Sequence, residues 1–509
     1  MPVAPPPPAQ SLVCHSSSTH TRSWEYFYHC CFEPVFGGSQ FQWIKALIVQ
    51  LGQQEDAVMS AVVAFSSMHE AAFRTSLHGP AARTQLPASH MDVLASVPNT
   101  TEYTAVTAAY SASVRALQQA IDERGRVAVP AALICCILFA ALNMVQCDYD
   151  GAVCHIEHGL GILAREQSIE RSGGSLCLPG WSATAANGAM SSLVSGFYRL
   201  TIAVFFYGRT ETLLEERISV AVSSRVGQPA VDAVIPFRDI DEARMSLSIL
   251  AGNTLRFAAE VGGHRDRQDL PSPECFRRRD EHLGRIHSWC ASFQATLAAS
   301  PSELAEEASL RMIHIVLESQ SLALVILLRT CLDADESGYD ACFHEFRAVL
   351  VLCEEYVALY SASRASYTPG REAGNFTFDM EILPQLWLVG KKCRHREYRR
   401  WCIDLLARYR RKEGVWDPRL ICGLAKRTME IEEAALPSGR TLLPNNFDRL
   451  WTVDLDSRYT YGSVAVFAYK PTALGGRGLS WEELIPVEQQ AQVQGESPKG
   501  PTDMKSMSP

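Results

Sequence analysis

Cysteines, histidines and paired carboxylates are the side chains here that could do chemistry, and their spacing speaks against a catalytic or metal site. Cys147 and Cys154 stand with six residues between them. Zinc takes about four soft ligands in a closed tetrahedral site, and nothing nearby supplies the others, so packed thiols are expected. Cys342 and Cys353 are eleven apart, three helical turns, which places both on one helix face for packing. His155 and His158, at i and i+3, lack carboxylate support; His69-Glu70 and His282 read the same way. Glu306-Glu307 and Glu354-Glu355 read as solvated helix faces. The chain has no CxxC, HExxH or GxSxG pattern, no Walker loop, and no GxGxxG opening a helix after a strand. No catalytic residue, metal or cofactor is therefore expected.

The strongest electrostatic feature is a basic segment inside Glu381–Glu433. Lys391, Lys392, Arg394, Arg396, Arg399, Arg400, Arg408, Arg410, Arg411 and Lys412 crowd it, opposed locally only by Glu397 and Asp404. Arg396 and Arg400 share a side at helical spacing, as do Arg408 and Lys412. These ten residues form a candidate contact or import patch, through phosphate binding or nuclear import. The competing reading is a solvated helix face, its cations favoured near the C-terminal end by the helix dipole.

The elements that must position these groups are helical. Val58, Ala61, Val62, Phe65, Met68 and Ala72 recur at three- and four-residue steps and predict a helix over 56–74. Another is predicted over 103–121, with Tyr103, Val106, Tyr110, Val114, Leu117 and Ile121 on one stripe. Residues 127–147 and 149–165 read as a helical hairpin, with Pro130 in a first turn and Ala152 and Gly159 permitting close approach. Helical patterns continue over 41–51, 190–207, 242–261, 278–297, 302–331 and 342–360, with Gly/Pro/Asp clusters at 262–273 and 361–374 as separators and 75–101 as a long loop. Residues 445–469 carry short Val/Tyr/Phe segments that could pair as strands or lie over the bundle. The expected fold is all-α, a large multi-helix array of packed helical hairpins with disordered termini. The expected layout is a disordered tail over 1–21, a helical domain over 22–436, a C-terminal segment packing on it over 437–487, and a second disordered tail over 488–509.

A chain of 509 residues, 47% hydrophobic and 20% charged, can bury a large core. Its net charge of −9 gives it no overall attraction to nucleic acid or an acidic membrane, so any such contact must be local. The sixteen cysteines are scattered and no secretory pattern precedes them, so reduced, mostly buried thiols in a cytosolic or nuclear protein are expected. The apolar run 127–147 reaches spanning length, but Pro130, Asn143 and Gln146 interrupt it, and a buried helix is expected instead of a membrane span.

Three collinear blocks resemble one family. SWEYFYHCCFEPVFGGSQFQWIKALIVQLGQQEDAVMSAVVAFSSMHEA, from Ser23, resembles the start of the regulatory region of fungal zinc-cluster (Zn2Cys6) transcription factors. ALICCILFAALNMVQCDYDGAVCHIEHGLGIL resembles that region's next helical hairpin, and ILPQLWLVGKKCRHREYRRWCIDLLARYRRKEGVWDPRL its late signature. The resemblance implies an all-helical regulatory domain in a nuclear regulator of transcription, often of a secondary-metabolite gene cluster. It also implies protein partners, among them a full-length zinc-cluster relative, or a small-molecule effector between helices. The family's DNA-binding module needs six cysteines spaced CxxCxxxxxxC twice, whereas Cys14 is the one cysteine before Trp24. No DNA-binding residue carries over, and DNA is expected to be reached at most indirectly or weakly. Nuclear localisation is expected; the alternative is a cytoplasmic ligand-binding or scaffold protein with the same fold.

Overall fold

The computed structural model describes residues 18–36, 42–77, 100–146, 148–172, isolated positions between 190 and 200, 234–267, 270–299, 308–365, 376–434, 436, 443–455, 464–469 and 480–485. Its described part is all-α in character, with strands confined to one short bridge and one small sheet.

The amino-terminal helices are α1 (Ser18–Tyr26), α2 (Phe32–Phe36), α3 (Gln42–Gln54), α4 (Asp56–Leu77), α5 (Thr100–Arg124), α6 (Val129–Val145) and α7 (Tyr149–Arg171). Helix α1 begins inside the stretch expected to be a tail; residues 1–17 lie outside the described residues. One π turn, Phe27–Cys31, joins α1 to α2 and turns Phe27 inward against Phe32, Phe36 and Phe65. Such edge-on aromatic packing contributes beyond area burial. Helix α6 is apolar on every side and buries Pro130 through Leu142 without a break. It forms the expected hairpin with α7, where a Cβ on Gly159 would lie 2.0 Å from the Phe197 ring.

The stripe expected on α5 is only partly the buried face. Val106 is buried, but Tyr103, Val114 and Ile121 are exposed, and Ser113 and Ala120 are buried in their place. The reason is close approach to α4: the Ser113 hydroxyl donates to the Ala57 carbonyl at 2.6 Å. A helix lying that near a neighbour's backbone presents small side chains to it, whatever its larger apolar residues do.

Helices α8 (Ile240–Arg267), α9 (Pro273–Ala299) and α10 (Ala308–Thr330) pack around a second core that includes Phe257, Trp289 and Phe293. Helix α8 runs through Gly262 and Gly263, so the expected separator begins later than its glycines suggested. Helix α10 faces both cores, placing Ile315 and Ile326 in the main one and Leu317 and Leu328 in the second. Apolar windows within Tyr103–Val145 and Ala308–Thr330 are long enough to cross a membrane; here 83% and 50% of them is buried inside the protein.

After a 3-10 helix, Glu336–Cys342, come α11 (Phe343–Ala365), β1 (Phe376–Thr377), α12 (Leu383–Lys392), α13 (Arg396–Arg408), β2 (Lys412–Glu413) and α14 (Pro418–Glu433). Strands β1 and β2 pair in parallel. Beyond α14, β3 (Leu450–Leu455), β4 (Val464–Tyr469) and β5 (Ser480–Leu484) form an antiparallel sheet in the order β3-β4-β5. Its inner residues Val453, Ala465 and Phe467 join the main core. Strand β5 lies beyond the segment in which the sequence suggested strands. Residues 486–509, including the expected tail from 488, lie outside the described residues.

Candidate functional site

Short local signals shape the basic segment. Pro384 sits in the first turn of α12, where a missing N–H costs little. Asp417 caps α14 by accepting the Arg419 N–H at 3.0 Å, with Pro418 beginning the helix. Within α13, Arg399, Cys402, Leu405 and Leu406 form the buried stripe, and Arg396, Arg400 and Arg408 face solvent. One helical period thus divides what the sequence presents as one cluster.

Three of the ten candidates point inward. Arg394 and Arg399 have no exposed side-chain surface, and both grip Glu432: Nη2 of Arg394 reaches Oε1 at 2.9 Å, and Nη2 of Arg399 reaches Oε2 at 2.6 Å. Lys392 Nζ lies 2.7 Å from Glu336 Oε2, which Arg394 Nη1 also approaches at 3.1 Å. Backbone acceptors add a bond each, Cys393 O for Arg399, Leu450 O for Arg394 and Trp451 O for Lys392, while Arg399 Nη1 has no hydrogen-bond partner among the described residues. Glu432 in turn accepts the Leu450 N–H at 2.9 Å. Burial raises the Glu432 pKa, but Arg394 and Arg399 outweigh it and bring it down to about 2. Burial lowers Lys392 to about 7 against the pull of Glu336. These three cations cannot meet a phosphate or an import receptor from where they lie. They fasten α12, α13, α14, the 3-10 helix at 336 and strand β3 together.

Arg411 and Lys412 belong to a second internal cluster. Arg411 Nη1 pairs with Glu381 at 3.0 Å, and Lys412 Nζ with Asp417 at 3.2 Å. Beside them the fully buried Glu413 accepts the backbone N–H groups of Glu381, Ile382 and Leu383 and the hydroxyl of Tyr409. It caps α12 from about thirty residues away, a favourable place for a carboxylate because the first N–H groups of a helix lack partners of their own. Burial, and then Glu381, push its pKa up to about 8.

The rest face outward. Arg400 pairs with Glu433 at 2.7 Å, and Arg408 with Asp404 at 2.8 Å and Glu354 at 3.3 Å. Lys391 lies over the Trp387 ring, 5.6 Å from its centroid. Arg396 and Arg410 are exposed and have no acidic partner among the described residues. The ten residues therefore do not form one surface: the outward face is carried by Lys391, Arg396, Arg400, Arg408 and Arg410.

The other candidates are placed by packing. His69 meets the Tyr26 hydroxyl at 3.2 Å and His155 the Tyr110 hydroxyl at 3.4 Å, while His282 stacks on Phe257. Burial lowers all three pKa values to about 4. Cys342 and Cys353 are both buried, but Cys342 ends the 3-10 helix and only Cys353 lies on α11, so they do not share one helix face; Cys154 is exposed, 3.9 Å from His158 Nδ1. Cys147, Glu306 and Glu307 lie outside the described residues. Glu354 and Glu355 form surface pairs with Arg408 and Arg311. A cavity of about 30 Å³ lies where α8, α10 and the segment before α12 meet, lined in part by Arg244, Gln320, Met380 and Glu381. It suits water molecules; an organic ligand needs roughly 300 Å³ or more. Sequence reasoning missed the acids that matter, Glu336, Glu381, Glu413 and Glu432, because each meets its cations only through the tertiary fold.

No family model matches the chain, and no solved structure matches it. A stretch of 114 residues is similar to the aspercryptin biosynthesis cluster-specific transcription regulator atnN of Emericella nidulans, at 32% identity. The likeness covers 21% of this chain and 19% of that protein, so the chain spans about a fifth of the relative's length.

Proposed function

We propose that this protein is a transcriptional regulator of a fungal secondary-metabolite gene cluster, acting in the nucleus through its helical domain and through protein partners and not as an enzyme. The observation that carries this reading is the likeness to a cluster-specific transcription regulator. It agrees with the three blocks that resemble the zinc-cluster regulatory region. Those blocks, distant in sequence, contribute Phe27 and Val58, Leu138 and Ile156, and Leu386 and Leu405 to one continuous core. DNA would be reached through a partner, such as a full-length zinc-cluster relative. An import or partner contact would fall to the outward cations Lys391, Arg396, Arg400, Arg408 and Arg410, because the inward ones are structural.

Inactivating the gene should silence the transcripts of a linked set of biosynthetic genes. Unchanged transcript levels across conditions in which that set is normally expressed would sink the proposal. Imaging the tagged full chain supplies the second arm: nuclear signal is expected, and exclusion from the nucleus under every condition favours a cytoplasmic scaffold.

A further inference from the structure

The helices around the second core bury an unusual number of polar side chains. Ser248 and Thr254 of α8, Ser292 of α9, and His314 and Ser321 of α10 all lie inside. One of them is tied across a helix seam, the Ser321 hydroxyl accepting from the Cys290 thiol at 3.6 Å. Thr254 shares the inward face of Leu247, Leu250 and Phe257 by helical spacing. The His314 ring stands edge-on to Phe293 of α9, centroids 5.8 Å apart. Yet Thr254 Oγ1 and His314 Nε2 have no hydrogen-bond partner among the described residues. Each gave up water on burial and gained no bond, a penalty that falls on the packed state and vanishes when water enters.

The packing sets the same two helices apart. Helices α8 and α9 pack mainly on each other and on α10, and α10 joins them to α11 and the main core. They are cross-tied to one another: Trp289 Nε1 donates to Ala243 O at 2.9 Å, and Arg278 grips both oxygens of Glu260 at 2.6 and 2.7 Å. Helix α9 has no buried residue before Ile286, so its first half does little to hold the pair down. Toward the main body α8 meets the cavity of about 30 Å³, which its Arg244 and Ser248 line together with Asp379 and Glu381. A void forfeits the attraction that a filled seam would have. Polar, incompletely filled contacts are those along which parts of a chain move against each other.

We propose that α8 and α9 open off α10 as one cooperative unit while the main core stays folded, baring Leu317 and Leu328 of α10 and widening the cavity. The inference is independent of the role in transcription. Hydrogen exchange of the purified full chain without denaturant should show this directly. The slowest amides of α8 and α9 should share one protection factor, at least about tenfold below that of α6 and α11. Removing the unpaired polar atoms should hold the unit closed. T254V, which keeps the side chain's shape, and H314F, which keeps the edge-on ring contact, should each slow exchange in α8 and α9 about fivefold or more. Protection in α8 and α9 equal to that of α6 and α11 would overturn the proposal, as would α8 and α9 exchanging at unrelated rates. So would a T254V chain, folded by circular dichroism, that exchanges α8 and α9 as fast as the wild type.

Discussion

Glu432 lies fully buried between two fully buried arginines. Replacing it with glutamine leaves the Arg399 guanidinium buried without its counter-ion and Arg394 with Glu336 alone. Loss of one partner from a buried pair costs about 3–5 kcal/mol. E432Q should show that loss in urea unfolding, and a change under about 1 kcal/mol would mean that water reaches the pair. At this scale the sequence was least informative. Ten cations in a row read as a patch, but whether each faces water depended on Glu336, Glu381 and Glu432, which lie tens of residues away. The arginines of α13 that stayed outside, Arg396, Arg400 and Arg408, are no different in sequence from Arg399. Only the register of α13 against α14 separates them.

Helices were legible because their apolar residues recur at 3.6-residue spacing and because of a start signal such as Pro130. Faces were less so. The α5 stripe failed at Tyr103, Val114 and Ile121 because close approach to α4 selected Ser113 and Ala120, and periodicity alone gives no weight to small residues. The β1–β2 bridge was invisible for another reason: two-residue strands carry no alternation. Its turn rests on Gly414, at a φ of +53° and donating its N–H to Thr377 O at 2.7 Å. A Cβ there would have room, 3.5 Å from Phe378 O, so G414A tests backbone strain in isolation. The expected loss is about 1–2 kcal/mol, read as a lowered thermal midpoint; an unchanged midpoint would show that the turn relaxes freely.

For the whole molecule, protonation sets the limit of stability on the acid side. His69, His155 and His282 are held near pKa 4 by burial, below the unfolded value of 6.5. Between those values the unfolded chain binds more protons, so stability is lost as pH falls from 6.5 to 4. Glu432, lowered from 4.5 to about 2, adds a further loss below pH 4.5. Glu413 has the opposite sign: raised to about 8, it favours the folded state toward acid across 4.5 to 8. Three sites against one should still give a urea midpoint that drops between pH 6.5 and 4, and a flat profile there would show the histidines to be solvated. Lys392, lowered to about 7, makes stability rise with pH from 7 to 10.5. The all-helical architecture was readable at this scale from periodicity and from the three resembling blocks. The division into two cores that share α10 was not, since its two faces are equally apolar in sequence.

The bond from the Leu450 N–H to Glu432, with the carbonyls of Leu450 and Trp451 that receive Arg394 and Lys392, has a genetic consequence. A stop codon just after α14 would spare every α-helix from α1 to α14, yet it would remove the backbone groups that bond two internal cations and the carboxylate between them. Such an allele would behave as a null through loss of the folded protein, and its transcript would look almost complete. Missense changes on the outer face of the same sheet would be silent by comparison.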